Sequence, residues 1–119
     1  MRASLFFIAI LFSVLSVTAQ KKQDKFVIND DLIQATLYHD NGVVAQTGFY
    51  NKKGELQGEW ISYNTKGTKT SIANYLNGKK VGTWLFFVDD KIKEVTYSKS
   101  KISKVKTLAV TDVYIASNR

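Results

Sequence analysis

After residue 20 the chain reads as short runs of apolar and polar side chains, each run closed by a polar or glycine-bearing turn. The runs are rich in Val, Ile, Thr, Tyr, Phe and Trp, the residues that suit a pleated, half-buried surface. The pattern predicts strands near 25–28, 32–39, 43–50, 58–64, 68–76, 82–88, 91–98 and 101–107. The segment Val110–Ala116 reads as one more strand or as a short helix. No 3.6-residue apolar stripe follows residue 20, so no amphipathic helix is expected there.

The runs recur. Gly58-Glu59-Trp60-Ile61-Ser62-Tyr63 returns as Gly82-Thr83-Trp84-Leu85-Phe86-Phe87, 24 residues later. In a second register Tyr38-x-x-x-Gly42 returns as Tyr63-x-x-x-Gly67, 25 residues later. A period of this length is the mark of a repeat architecture. Six of the seven glycines pair by repeat position: Gly42 with Gly67, Gly54 with Gly78, and Gly58 with Gly82. Gly48 alone has no partner. Asn41-Gly42 and Asn77-Gly78 carry the signal for a two-residue hairpin turn, whereas Asn64–Gly67 and Asn51–Gly54 read as slightly longer turns. The chain has no proline, and an antiparallel ladder needs every backbone donor. The expected fold is therefore all-β, an antiparallel meander of hairpin repeats forming a twisted sheet.

The third copy is degraded. Tyr97-Ser98-Lys99-Ser100 stands where Tyr75-Leu76-Asn77-Gly78 stood, without the glycine. Ends of a repeat stack must cap it, so atypical copies are expected there. The division that follows is 20–36 as N-terminal capping strands, 37–102 as repeats and 103–119 as a C-terminal cap or tail.

Alternation places Trp60 and Ser62 on one face of their strand, and Ile61 and Tyr63 on the other. Trp84 and Phe86 likewise oppose Leu85 and Phe87, so both faces are apolar. A single sheet cannot bury both. Cover for the second face is expected from segment 25–37, from segment 108–116 or from a partner. Trp60, Trp84, Tyr63 and Phe86 then read in two ways. They are the stacked core of the array, or they form an exposed aromatic groove for an extended peptide or sugar chain.

The motif Tyr-x-Asn-Gly-Lys-x-x-Gly-x-Trp-x-x-Tyr/Phe-x-x-x-Gly resembles the variant MORN-type repeats of bacterial antitoxin-repeat proteins. Tyr75, Asn77, Gly78, Lys79, Gly82, Trp84 and Phe87 carry the resemblance, and Tyr50, Gly54, Gly58, Trp60, Tyr63 and Gly67 carry it in the preceding copy with one inserted residue. It covers about residues 37–102. The resemblance implies a sheet of β-hairpins, used in scaffolds, membrane-associated proteins or antitoxin-like neutralisation of one protein.

Residues 1–19 have the form of a secretory signal peptide: Arg2, an apolar run from Leu5 to Val17, and Val17-Thr18-Ala19 before a cut at Gln20. The run of 13 residues is short of the roughly 20 that span a bilayer. A periplasmic or secreted protein is expected. The absence of cysteine excludes disulfides and thiolate metal sites. Of the 17 basic residues Arg2 leaves with the signal, so 16 stand against 10 acidic, a net charge of +6. That balance in an exported chain points to a protein or an anionic envelope component, including peripheral contact with a membrane surface, and away from nucleic acid. The two-sided apolarity leaves an oligomer open.

Lys99, Lys101, Lys104 and Lys106 alternate in pairs, either to blunt an edge strand or as a basic stripe for phosphates or an acidic protein. The single histidine, His39, precedes Asp40 at a strand end, where neighbours face opposite ways, and reads as a solvated turn residue. Asp30-Asp31 and Asp89-Asp90 read as hairpin turns. No catalytic constellation, cofactor or metal set is expected. Short secreted chains resembling this one are sometimes labelled nicotinate mononucleotide adenylyltransferase. That class resembles a doubly wound α/β fold with a His/Thr-x-Gly-His motif, whereas here His39 is followed by Asp40-Asn41-Gly42. The reading is a non-enzymatic exported binding or scaffold module, with an antitoxin-like or immunity-like protein as its alternative.

Overall fold

The structure is a computed structural model that describes residues 21–109. Its strands are β1 (Lys25–Asn29), β2 (Leu32–Tyr38), β3 (Val44–Asn51), β4 (Leu56–Tyr63), β5 (Lys69–Leu76), β6 (Lys79–Lys80), β7 (Gly82–Val88), β8 (Lys91–Ser98) and β9 (Lys101–Ala109). They form one antiparallel sheet in chain order, with β6 and then β7 paired to β5. Among the described residues the sheet is open, and β1 and β9 are its two edges. The all-β meander expected from the alternation is what the chain forms. The expected signal segment 1–19 and the segment 110–116 lie outside the described residues.

A single layer has no opposing layer to fill a core, so burial must come from neighbours within one face. One row does this. The register sets Ala35 opposite Gly48, Trp60 opposite Ala73, and Trp84 opposite Val95. Across β2, β3, β4, β5, β7 and β8 the row therefore runs Ala, Gly, Trp, Ala, Trp, Val. Small residues flank each indole. Ala35 is 0% exposed, Trp60 4%, Ala73 7%, Trp84 7% and Val95 6%. Each indole reaches back over the preceding strand. The Trp60 Nε1–H donates to the Phe49 carbonyl at 2.9 Å, and the Trp84 Nε1–H donates to the Asn74 carbonyl at 3.0 Å. Tyr50 packs edge-on against Trp60 at 5.0 Å between ring centroids, and Tyr75 against Trp84 at 5.1 Å. The repeat seen in the sequence is thus a repeat of one packing unit.

That unit explains Gly48. Its repeat counterpart is Ala73, 25 residues on, so the position calls for a small side chain rather than for a turn. A Cβ on Gly48 would fall inside van der Waals contact of the Trp60 ring.

Three turns share one geometry: His39–Val43, Asn51–Glu55 and Asn64–Thr68. In each, the first residue's N–H donates to the fifth residue's carbonyl, at 2.8, 2.9 and 2.9 Å. The glycine N–H (Gly42, Gly54, Gly67) donates back to the first residue's carbonyl, with φ of 84°, 79° and 85°. Asn41-Gly42 is therefore not the two-residue turn expected. Asn41 instead occupies the middle of a longer loop and accepts the Val43 N–H on its own Oδ1 at 3.1 Å. Asn77-Gly78 is a two-residue turn, closing the Leu76–Lys79 pair with φ of 50° and 81°. In the degraded copy Lys99 and Ser100 take the same left-handed sense without glycine, at 51° and 68°. Asp30-Asp31 and Asp89-Asp90 close the turns expected of them.

Most strand ends agree with expectation to within one residue, and β9 runs to Ala109 rather than to residue 107. Two larger differences remain: β4 begins at Leu56 rather than at residue 58, and β6 was not expected at all. Both follow from one register: Tyr50 pairs with Leu56, and Tyr75 with Lys80, on the far side of an irregularity at Gly58 or Val81. The second face also differs. Segment 25–37 lies in the plane as β1 and β2 and does not cover it. Ile61, Ile72, Leu85 and Phe87 stay half-buried there, with Ile92 buried beside Phe87.

Replacing Gly48 by Ala is expected to displace the Trp60 indole and to cost about 1–3 kcal/mol of stability. Urea unfolding followed by tryptophan fluorescence measures it. A Gly48→Ala protein as stable as the parent would contradict the packing unit.

Candidate functional site

The structure separates the residues that the sequence groups as candidates. Trp60, Trp84 and Phe86 share the face of the core row, with Phe86 at 6.1 Å from Trp84. Tyr63 lies on the opposite face by strand alternation. The two indoles are buried and their N–H groups satisfied, so they act as packing and not as an open stacking platform. Between them lies a cleft of about 270 Å³ bordered by Gln46, Ser62, Ser71, Tyr50 and Tyr75. Gln46 Nε2 donates to Ser62 Oγ at 3.1 Å across its floor. The Lys80 ammonium sits 5.1 Å from the Trp84 ring and 5.3 Å from the Tyr97 ring. Cation–π attraction holds a positive charge beside the aromatic column.

The lysines come together differently. Lys101 pairs with Ser98, Lys104 with Thr96, and Lys106 with Glu94. By numbering, Lys101 and Lys104 should face opposite ways. The register shift in this pair leaves Ser103 as an extra residue, and its hydroxyl donates to the Thr96 carbonyl at 3.1 Å. A bulge of this kind resets the side-chain phase. All three lysines consequently stand on the face of Glu94 and Thr96. Lys99 sits apart, in the turn before them. The other side of β9 presents Ile102, 60% exposed, and Val105, 52% exposed.

At the end of the sheet that carries the β3–β4 and β5–β6 turns, a cavity of about 510 Å³ lies among Asp31, Lys52, Asn51, Glu55 and Asn77. Asn51 Nδ2 donates to Glu55 Oε1 at 3.0 Å and to Asn77 Oδ1 at 3.2 Å, which ties neighbouring turns together. Lys52 and Asp31 pair at 2.9 Å, but both are exposed, so the pair adds little to stability. Mixed charge gives this cavity no single ligand class.

His39 departs from expectation. It is half-buried, and its Nε2–H donates to the Tyr63 carbonyl at 2.8 Å, which places the ring proton on Nε2. Asn41 Nδ2 adds a bond to the Thr65 carbonyl at 2.9 Å. The His39 loop therefore docks on the Asn64 loop, one repeat later. The sequence does carry a signal for this, since His39 and Asn64 are the first residues of loops whose glycines pair by repeat position. Among the described residues no group of three His, Cys, Asp or Glu converges as metal ligands would.

Two outcomes follow from this geometry. Trp84→Ala is expected to lose about 3–5 kcal/mol of stability, read by urea unfolding, because it empties the centre of the row. Burial, and then the neighbouring Tyr97, raise Tyr75 above its ordinary value of 10.0. The fold favours the neutral phenol, so this contribution is full below pH 10.0 and is lost as pH rises through the raised value. Urea midpoints measured across that range should fall with pH, and Tyr75→Phe should flatten the fall. An unchanged slope would show that Tyr75 is not held neutral by its site.

Compared with known protein families, with curated proteins and with solved structures, the chain finds no match.

Proposed function

We propose that the chain is an exported, non-enzymatic binding or scaffold module of MORN-like β-hairpin repeats, which recognises a protein. The observation that carries this reading is the uncovered surface. Among the described residues one layer leaves both faces and both edges open, with Phe26, Val27, Ile28, Val88, Ile102 and Val105 all more than 40% exposed. Runs of exposed apolar side chains along an edge, rimmed by polar groups, mark a surface that meets a partner. The interior supports the same reading. Its aromatics are committed to packing, and Gln46 and Ser62 at the cleft bond to each other.

A second reading, contact with anionic envelope material, is supported by the three lysines that the Ser103 bulge gathers on one face. The two readings differ in salt dependence, because exposed charges are screened over about 10 Å at 0.1 M salt.

The test is crosslinking in living cells with the tagged full chain, then capture and mass spectrometry at low and high salt. One dominant, salt-resistant protein partner is expected. Diffuse, salt-sensitive envelope material would favour the second reading, and nucleotidyl transfer by the purified protein would contradict both. Export has its own measurement. The protein isolated from the producing cell should begin at Gln20, and an intact Met1 start would remove the exported part of the proposal.

A further inference from the structure

We propose that the outer edge of β9 accepts an extended acidic segment of a partner protein as an added strand, in which carboxylate and apolar side chains alternate. This rests on the reading of the chain as a protein-binding module and names the edge and the chemistry of what it binds.

β9 is nine residues long, and every side chain but that of Leu108 is exposed. Among the described residues it pairs only with β8. In such a strand alternate residues turn their N–H and C=O groups outward, unpaired. The side chains sort by face. Lys101, Lys104 and Lys106 stand on one, and Ile102 and Val105 on the other. Were Ser103 held in a regular ladder instead of bulged out of it, Lys101 would stand on the face of Val105 and the sorting would fail. The only carboxylate paired across from these lysines is Glu94, opposite Lys106. The ion pairs among the described residues, Lys21–Asp40 and Lys52–Asp31, lie elsewhere. A strand laid along this edge meets positive charge on one side and aliphatic surface on the other. Opposite charges directly across a ladder stabilise it, and like charges destabilise it.

That rule also excludes the chain's own edges. A second β9 would bring lysine against lysine. β1 would set Lys25, Val27 and Asn29 on the lysine side, by its register with Thr36, Gln34 and Leu32, and so offer no carboxylate there. No edge among the described residues supplies that complement, so it is sought on another chain. Edge protection alone accounts for lysines, but it leaves Ile102 and Val105 exposed on the other face.

The probe is a synthetic peptide of β9's length, alternating glutamate and valine, added to isotope-labelled full-length protein and followed by amide chemical shifts. Two controls share its design: one carries prolines in place of two valines, and one carries lysine in place of glutamate. The glutamate–valine peptide should shift the amides of β9 and β8 and bind roughly tenfold more tightly than either control, the scale set by three cross-strand charge pairs and an intact ladder. The triple variant Lys101→Glu, Lys104→Glu, Lys106→Glu should reverse the preference towards the lysine peptide. Should that variant fail to fold, Lys104→Gln alone should weaken glutamate-peptide binding while amides outside β8 and β9 keep their positions. Equal binding of the proline control would reduce the edge to plain charge attraction and overturn the proposal. So would shifts centred on the aromatic face, or no binding. If the peptide fails while crosslinking still captures one protein, the edge assignment falls and the binding-module reading stands. If both fail, both fall.

Discussion

Everything in this sheet depends on the fit of an indole over a small neighbour. A layer with no second layer behind it has little to bury, and among the described residues only the small Ala35 is wholly sealed from solvent, with no large side chain beside it so closed. The chain meets that constraint by laying Trp60 over Gly48 and placing Trp84 between Ala73 and Val95. Each ring buries large apolar area, and its one polar atom is satisfied by a carbonyl of the strand it covers. Ala35 and Val95 extend the row and end it. In the last hairpin the position of the indole is taken by Val105, which is exposed. The stack therefore stops where its large residue stops.

The same constraint links packing to function. Because one row carries most of the burial, much of the remaining surface is free for other uses. The turns vary in sequence while keeping one hydrogen-bond scheme, and the edges carry charge. The Ser103 bulge shows how one residue set outside the ladder keeps the lysines on one face and the aliphatic side chains on the other. A large-residue core would have used those side chains for stability, whereas here they remain available for contact.

Much of the fold was legible in the sequence because the repeat writes the same alternation several times. Trp60 and Trp84 declared the unit, the paired glycines declared the turns, and the missing prolines left the ladders whole. What stayed hidden depends on partners far along the chain. Gly48 looked like a stray glycine because its counterpart is Ala73, and only the ring lying over the site makes the two equivalent. β6 is two lysines, polar in pattern, and its pairing with Leu76 and Tyr75 comes from the register of the copy before. Local alternation cannot reveal a bulge, so the common face of Lys101, Lys104 and Lys106 was invisible. Tyr63 was offered as a site residue beside the tryptophans, although alternation along its own strand already turned it to the other face. His39 was read as solvated from its immediate neighbours, whereas the hint that the Tyr63 carbonyl lies within reach comes only from the pairing of Gly42 with Gly67 one repeat on.

The row of alternating small and large residues holds the sheet. Native-state amide hydrogen exchange tests it most directly, since protection reports the free energy of opening at each backbone site. The slowest amides should lie in β4, β5 and β7 around Trp60, Ala73 and Trp84, with protection falling away through β2 and β8 to the edges. Protection that is uniform along the sheet, or greatest at β1 or β9, would contradict it.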